Sequence, residues 1–303
     1  MKNNNSVLVG VDYSEPSDNA IREAARLAAW DGTQLVAVNI LDERTLERAK
    51  DEIKLDEARM IEAQQRRLDR HIEAILGPGH GVRCEFLVGH PFRGMVTLCE
   101  QFHIGLIVLG SHGLVDDNPY RVGTLATRCI RKAKPNVLLV RDWQEGAFRR
   151  VCACIDFSEN SREAAGSAVR IARQDVAELD FLHVHLPMTS LLGDPGFLMS
   201  EMPTAAPEQE AEVVRSMDEK LKVFGAEVAD GYQHETHVVT SSLLRAGIID
   251  YLESSSPDLV VLNTRGHTAI RNLLIGAAAE KIIHEVNCST LVVKPAEFGY
   301  TLD

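Results

Sequence analysis

Two groups of glycines separated by a short loop carry the clearest chemical signal in this 303-residue sequence. Gly110–Gly113 reads Gly-Ser-His-Gly, and nine residues later the chain continues with Gly123-Thr124. Glycines let a backbone approach a phosphate closely and adopt positive φ angles. The N–H groups of Gly123, Thr124 and Leu125 stand where a helix is expected to begin, and helix N-termini attract anions. The Thr124 hydroxyl adds a donor, so the spacing predicts a phosphate-binding turn.

A carboxylate ends the first apolar run of the chain. Val7–Asp12 reads Val-Leu-Val-Gly-Val-Asp, which is typical of a buried strand followed by a polar residue. Ligands of parallel sheets bind beyond the carboxyl ends of the strands, so we expect Asp12 and the glycine-bearing turn to meet there. Two roles are open for Asp12: it accepts hydrogen bonds from ribose hydroxyls, or it lies near a phosphate-bound magnesium ion.

The elements that must position these residues occur twice in the chain. Val7–Asp12 is matched by Val151–Asp156, and each run continues with an aromatic residue and then Ser-Glu-x-Ser. An alanine-rich helical pattern follows in both copies at the same spacing. An internal repeat of this length indicates a duplicated domain. We therefore predict two domains, residues 1–143 and residues 149–303, joined by a polar segment.

Within each copy, short apolar runs alternate with longer helical patterns. The first copy contains a helical pattern from about Arg44 to Leu76, closed by Gly77-Pro78-Gly79. Runs such as Leu106–Leu109 lack polar alternation, which is typical of strands buried on both faces. This order of elements predicts an α/β fold with a doubly wound parallel sheet and helices on both faces.

The glycine motif, G-x-x-G, nine residues and G-[ST], together with Asp12 resembles the ATP-binding signature of the universal stress protein superfamily. The similarity extends over both copies. Two such domains in one chain resemble the tandem-domain, E-type arrangement of this superfamily. It implies two Rossmann-like, adenine-nucleotide α-hydrolase-like domains, each a five-stranded parallel sheet of order 3-2-1-4-5. It also implies bound ATP, with or without Mg²⁺, and domains that pair through their fifth strands, as an intramolecular pseudo-dimer or within a homodimer.

The resemblance also implies which side chains hold the nucleotide. By position, Asp12 is assigned to the ribose and Ile40, at the end of the second strand, to the adenine. Without the resemblance, Ile40 and Leu109 are ordinary core residues. The implied nucleotide-binding set is Asp12, Ile40, Leu109, Gly110, Ser111, His112, Gly113, Gly123, Thr124 and Leu125.

The second copy departs from this motif. Asp156, Gly266 and Gly276 are retained, but Asn263 stands at the first glycine and Ala277 replaces the terminal hydroxyl. Losing one hydrogen bond to a charged phosphate costs about 1–3 kcal/mol. We therefore expect a second site that is weak, empty or used by another ligand. The loop of the first copy is itself unusual, since it carries Asp116 and Asp117 beside a single Arg121.

Composition narrows the possible functions. The formal net charge of −12 argues against binding to nucleic acids or anionic membranes. No apolar stretch reaches membrane-span length and the first residues resemble no signal peptide, so we expect a cytoplasmic protein. No Walker lysine, Gly-x-Ser-x-Gly or His-Glu-x-x-His motif is present, which predicts no enzyme beyond a slow ATPase.

Besides a slow ATPase or transferase, two functional hypotheses remain from the sequence. The first is a stress-response regulator or signalling adaptor that binds ATP in its first domain, with a protein partner that the sequence does not identify. The second is an interaction or chaperone-like module with a vestigial nucleotide site and an apolar ligand in the second domain. The apolar segment Leu186–Pro207 motivates the second, as a lid over an apolar ligand or a contact with a partner, and the alternative is a loop folded on its own domain.

One metal hypothesis also remains open. Cys152-x-Cys154 and His183-x-His185 lie on strands expected to be neighbours, and residues two apart on a strand point to one face. These four side chains are either zinc ligands or buried core residues. No metal site is assigned to the remaining histidines.

Overall fold

The computed structural model describes residues 6–47, 56–111, 122–141, 146–187, 207–264 and 277–295. The described residues divide into two compact units, residues 6–141 and residues 146–295. No helix in these six ranges is both long and apolar enough to cross a membrane.

The first unit alternates strands and helices. Its strands are β1 (Ser6–Gly10), β2 (Leu35–Leu41), β3 (Arg83–Val88), β4 (Ile104–Gly110) and β5 (Asn136–Val140). Its helices are α1 (Glu15–Asp31), α2 (Glu57–Leu76), α3 (Pro91–Gln101) and α4 (Thr124–Lys132). The pattern expected from about Arg44 to Leu76 is helical at residues 43–47 and again over α2, and residues 48–55 lie outside the described part of the chain. The pattern is interrupted at Asp56, whose carboxylate accepts the Ala58 N–H and starts α2 at Glu57.

The strands of the first unit form a parallel sheet of order β3-β2-β1-β4-β5. The central strands are buried on both faces: Val7, Leu8 and Val9 of β1 are fully buried. This explains why their sequences are continuous apolar runs and lack polar alternation. The predicted doubly wound α/β fold with order 3-2-1-4-5 is confirmed for this unit.

The second unit repeats the same plan. Its strands are β6 (Arg150–Cys154), β7 (Glu178–His185), β8 (Glu235–Thr240), β9 (Leu259–Asn263) and β10 (Ser289–Val293). Its helices are α5 (Glu159–Asp175), α6 (Pro207–Ala229), α7 (Leu244–Ser255) and α8 (Ala277–Glu285). The strands are parallel in the order β8-β7-β6-β9-β10, which is again 3-2-1-4-5 counted along the unit. Pairing of the two units through β5 and β10 stays a prediction.

The first helix of each unit begins with the same local structure. The Ser14 hydroxyl accepts the N–H of Ser17 at the start of α1, and Ser158 caps Ser161 in the same way at the start of α5. A serine at this position satisfies one of the backbone donors that a helix leaves unpaired at its N-terminus. The Ser-Glu-x-Ser pattern seen twice in the sequence is therefore a helix start.

Candidate functional site

The candidate site of the first unit lies where β1 and β4 end side by side. Val9 of β1 pairs with Val108 of β4. The sheet continues from β1 to β2 and β3 on one side and from β4 to β5 on the other, so the strand order reverses between β1 and β4. Parallel α/β sheets open a crevice at such a reversal of strand order, beyond the carboxyl ends of the strands. Asp12 follows β1 and Ser111 follows β4, so the predicted residues meet at this edge.

The Asp12 carboxylate is held through one of its two oxygens. Its Oδ1 accepts the Ser14 backbone N–H at 3.0 Å and the Ser14 hydroxyl at 2.5 Å. Within the described residues, no hydrogen bond engages Oδ2. A carboxylate oxygen accepts up to two hydrogen bonds, so Asp12 is fixed in orientation and keeps acceptor capacity for a ligand hydroxyl.

A strained backbone turn follows this aspartate in both units. Tyr13 has φ 65° and Phe157 has φ 61°, both in the left-handed region that residues with side chains seldom adopt. A cation lies over each ring: the Arg67 guanidinium is 4.0 Å from the Tyr13 centroid, and Lys220 Nζ is 4.1 Å from that of Phe157. Backbone strain of this kind persists only where the surrounding structure enforces it, and it is found most often at functional sites. The aspartate turn is therefore a candidate functional element in both units.

Gly110 is a glycine because of the packing inside the protein. A Cβ atom at this position would lie 2.6 Å from the Pro16 carbonyl carbon and 2.7 Å from its oxygen. Both are backbone atoms of α1 and cannot move away cheaply. The first glycine of the motif therefore allows α1 to approach β4, whether or not a ligand is present.

Within the described residues, Gly123 has no such packing reason to be a glycine. Its φ of −60° suits any residue, and among the described residues a Cβ there would find only the Ser111 carbonyl oxygen, at 4.0 Å. Gly123 is the N-cap of α4, so the space in front of it faces the positive end of a helix. A missing side chain at a helix N-terminus leaves room for an anion to approach the backbone.

The hydrogen bonds of this turn show which donors remain for an anion. The Gly123 N–H donates to the Ser111 carbonyl at 2.9 Å, and the Ser111 N–H donates to the Val140 carbonyl at 3.2 Å. Thr124 and Leu125, in the first turn of α4, have N–H groups that no intrahelical carbonyl accepts. The Thr124 side chain is exposed. Of the predicted phosphate donors, the structure thus favours Thr124 and Leu125 over Gly123.

Ile40 and Leu109, the two apolar residues of the predicted site, each pack against a glycine on a neighbouring element. A Cβ at Gly94 in α3 would lie 2.7 Å from Ile40 Cδ1, and a Cβ at Gly10 would lie 2.6 Å from Leu109 Cδ2. Ile40 is half-buried at the end of β2, whereas Leu109 is 5% exposed. The Ile40 side chain is thus accessible to a ligand in part, and that of Leu109 belongs to the core.

Other predicted positions lie outside the described residues. These are His112 and Gly113 of the motif, the loop carrying Asp116, Asp117 and Arg121, and in the second unit Gly266 and Gly276. The apolar segment is described only at its ends, as residues 186–187 and 207.

The second unit keeps the aspartate turn but fills the space beside it. Asp156 Oδ1 accepts the Ser158 N–H at 2.9 Å and its hydroxyl at 2.6 Å, as Asp12 does with Ser14. Here, however, Asp156 Oδ2 accepts the side-chain amide of Asn263 at 3.3 Å. Asn263 is the residue that replaces the first glycine, so the substitution occupies the oxygen that, in Asp12, no described residue engages.

A family model described as the universal stress protein family matches residues 3–141 and again residues 147–294. The chain belongs to the universal stress protein family. It carries two universal stress protein domains in tandem, and each match covers one of the two structural units. The resemblance drawn from the glycine motif and Asp12 is confirmed.

Individual relatives are distant but cover much of the chain. A universal stress protein of Methanocaldococcus jannaschii is 27% identical over 50% of this chain and 84% of its own length. Universal stress protein E of Salmonella typhi is 25% identical over 63% of this chain and 64% of its own. A solved universal stress protein from Archaeoglobus fulgidus shares the fold with a TM-score of 0.63 at 17% identity, covering 97% of each chain. A Pseudomonas aeruginosa protein described as functionally unknown has a TM-score of 0.68 at 16% identity, covering 96% of this chain and 93% of its own.

The four cysteines and histidines considered as zinc ligands do not converge. Cys152 and Cys154 pair directly with Asp180 and Leu182 of β7, so they share the sheet face of the even-numbered β7 residues. His183 and His185 alternate with these residues and point to the other face. The two histidines are also engaged elsewhere, since His183 Nδ1 is 2.7 Å from the Ile155 carbonyl and His185 Nε2 is 2.7 Å from Glu210.

One repeated contact of the universal stress protein domains escaped the sequence reasoning. The Asn39 amide of β2 donates to the Val11 carbonyl at 2.7 Å, and His183 of β7 makes the matching contact with Ile155. Each contact fixes the backbone immediately before the aspartate. Aligning the two copies places Asn39 opposite His183, and the shared ability of their side chains to donate was the available signal. Burial lowers the pKa of His183, so its neutral form is favoured in the folded chain.

Proposed function

We propose that the first universal stress protein domain binds an adenine nucleotide and that the chain acts as a nucleotide-dependent regulator or adaptor in a stress response. The proposal rests mainly on the glycine at position 123, the N-cap of α4. Nothing among the described residues requires a glycine at this helix N-terminus, and an approaching phosphate supplies the missing reason. The open acceptor of Asp12, on the neighbouring strand end, suits a ribose hydroxyl.

The residues present fit such a ligand in chemistry. Thr124 and Leu125 would donate to phosphate oxygens from the first turn of α4, Asp12 would accept from the ribose, and the half-buried Ile40 offers an apolar contact for a base. Magnesium, when bound with ATP, would neutralise phosphate charge. We propose no enzymatic role beyond slow hydrolysis, because the sequence has no Walker motif whose lysine would place charge on the transferred phosphate.

The second domain supports a different role. Asn263 engages Asp156 Oδ2, and this contact favours the alternative of an interaction module for this half of the chain. The two roles are compatible, since a domain that binds nucleotide and a domain that does not can report nucleotide state to a partner.

The proposal is tested by identifying what the purified full chain carries and binds. Protein is denatured and the released small molecules are analysed by mass spectrometry, and nucleotide-free protein is titrated with ATP and Mg²⁺ in a calorimeter. We expect one nucleotide per chain and a rise in melting temperature on binding, because a ligand specific for the folded state stabilises it. Gly123→Val with Thr124→Ala should abolish both effects. Absence of released nucleotide, of heat and of a melting shift in the unmodified chain would overturn the proposal.

A further inference from the structure

A cluster of three potential metal ligands lies in the second unit, at the opposite end of the sheet from the aspartate turn. Asp180, Glu235 and His237 each present one ligand atom, and these atoms lie within 4.8 Å of one another. Asp180 pairs with Glu235 across β7 and β8, and His237 is two residues further along β8 on the same face. The cluster is thus built by strand register at the amino-terminal end of two neighbouring strands.

The distances within the cluster are too long for hydrogen bonds. His237 Nε2 is 3.6 Å from Asp180 Oδ1 and 3.5 Å from Glu235 Oε2. This nitrogen is buried and has no hydrogen-bond partner in the described part of the chain. A buried polar atom without a partner costs free energy, so its position between two carboxylates calls for a bridging group. Ligand atoms about 2.0–2.2 Å from a zinc ion stand roughly 3.4 Å apart when they are arranged tetrahedrally, which matches both spacings.

The local charge also suits a dication. Glu178 lies two residues before Asp180 on β7 and adds a third carboxylate near the cluster, and within the described residues Arg150 is the cation that contacts Glu178 and Asp180. Arg150 directs its guanidinium mainly to Glu178 and to the Ser255 carbonyl, and its Nε stays 4.0 Å from Asp180. The three carboxylates and Arg150 together carry a formal charge of about −2, which a divalent ion balances.

A neighbouring tyrosine holds the buried carboxylate in place. The Tyr251 hydroxyl donates to Asp180 Oδ2 at 3.2 Å, leaving Oδ1 directed at His237. Burial and the nearby Asp180 charge raise the pKa of Tyr251, so it remains a donor. Hydrogen bonds of this kind orient metal-binding carboxylates in proteins.

We propose that Asp180, Glu235 and His237 bind a zinc-like first-row divalent cation that fastens the edge strand β8 to β7. A histidine nitrogen with carboxylate oxygens suits zinc, whereas magnesium and calcium take oxygen ligands. Glu235 is mostly exposed and His237 is partly exposed, so the ion has a route of entry and an open coordination position. The bound ion would join two strands that hold residues 55 positions apart in the chain, counted from Asp180 to Glu235.

The test uses the full chain stripped of metal with a chelator. Zinc affinity is measured by competition with a chromophoric chelator, and Co²⁺ is added separately to read the visible absorption that reports tetrahedral coordination. We expect one strong zinc site per chain, a higher melting temperature with zinc, and no competition from excess Mg²⁺. His237→Gln should weaken zinc binding about 100-fold, and Tyr251→Phe about tenfold without removing the cobalt spectrum.

Two further variants separate ligation from folding and from adventitious histidine binding. Glu235 has a side chain that is 77% exposed, so Glu235→Gln leaves the fold intact and should still weaken zinc binding at least about tenfold. His185→Gln removes another histidine that contacts a glutamate in the same unit and should leave zinc binding unchanged. Zinc binding that is absent from the unmodified chain, or that is unaffected by His237→Gln and Glu235→Gln, would overturn the proposal and leave an ion pair between His237 and the carboxylates.

Discussion

Asn263 Nδ2 lies 3.3 Å from Asp156 Oδ2, and this contact separates the two halves of the chain. The corresponding oxygen of Asp12 has no hydrogen bond within the described residues, because a glycine stands where Asn263 would be. The same amide also reaches the Ser158 hydroxyl at 3.3 Å, so Asn263 joins the strand end to the helix cap. A substitution that looks like simple decay of a motif thus has a structural role of its own.

Removing the Asn263 side chain should reopen the second aspartate. In a chain silenced at the first site by Gly123→Val and Thr124→Ala, we expect Asn263→Gly to raise the association constant for ATP with Mg²⁺ by about tenfold, the value of one hydrogen bond to a charged group. Titration calorimetry on the full chain measures this change. Equal affinities in the silenced parent and in the Asn263→Gly chain would contradict the view that Asn263 competes for Asp156.

The two motif glycines should respond differently to the same substitution. Gly110→Ser places a Cβ against Pro16 backbone atoms and should lower the free energy of unfolding by about 1–3 kcal/mol in nucleotide-free protein. Gly123→Ser adds a side chain whose Cβ meets no described atom closer than 4.0 Å and provides a hydroxyl cap for α4, so stability should stay within about 0.5 kcal/mol or rise. Urea denaturation measures both.

Gly123→Ser should weaken nucleotide binding although it leaves stability unchanged or higher. The new serine hydroxyl would compete with phosphate for the first-turn N–H groups of α4, so we expect ATP affinity to fall about tenfold or more. If the Gly123→Ser chain bound ATP with unchanged affinity, a phosphate would not explain the glycine at this position, and the proposed nucleotide site would lose its main support.

Asp12 and Asp156 form a matched pair for the ribose assignment. Asp12→Asn keeps an acceptor for Ser14 but loses the charge offered to a ligand hydroxyl, so nucleotide affinity should fall about ten- to 100-fold. Asp156→Asn makes the same change where Asn263 already occupies the carboxylate and should leave affinity unaltered. The two variants are compared by calorimetry with ATP and Mg²⁺, and equal losses from both would argue against a single site in the first domain.

Stability should depend on pH through His183. Because burial lowers the pKa of His183 in the folded chain, the unfolded chain binds its proton first as the pH falls. The stabilisation that neutral His183 provides is present above the unfolded pKa of about 6.5 and is lost as the pH falls below it.

Asn39 makes the same backbone contact without titrating, which suggests the control. We expect His183→Asn to preserve the bond to the Ile155 carbonyl and to flatten the decline of unfolding free energy between about pH 7 and pH 5. Urea denaturation at several pH values measures this. Parallel pH curves for the two chains would show that His183 contributes nothing to the decline.

The sequence determined the larger plan because repetition and periodicity are local properties. The matched runs ending in Asp12 and Asp156 indicated two domains, and unalternated strands such as Leu106–Leu109 indicated a parallel sheet covered on both faces. The glycine motif indicated the family. The interruption at Asp56 was missed, because periodicity does not show where a capping side chain starts a new helix within a pattern that is already helical at residues 43–47.

Only the tertiary structure decided what individual side chains do. Whether a glycine serves packing or a ligand depends on the atoms opposite it, and those atoms for Gly110 belong to Pro16, far away in the chain. Strand register decides which residues share a face, since a shift of one residue reverses every side chain. The register of β6 and β7 places Cys152 and His183 on opposite faces of the sheet, and that of β7 and β8 places His237 near Asp180. The spacing of these residues in the sequence predicts neither arrangement.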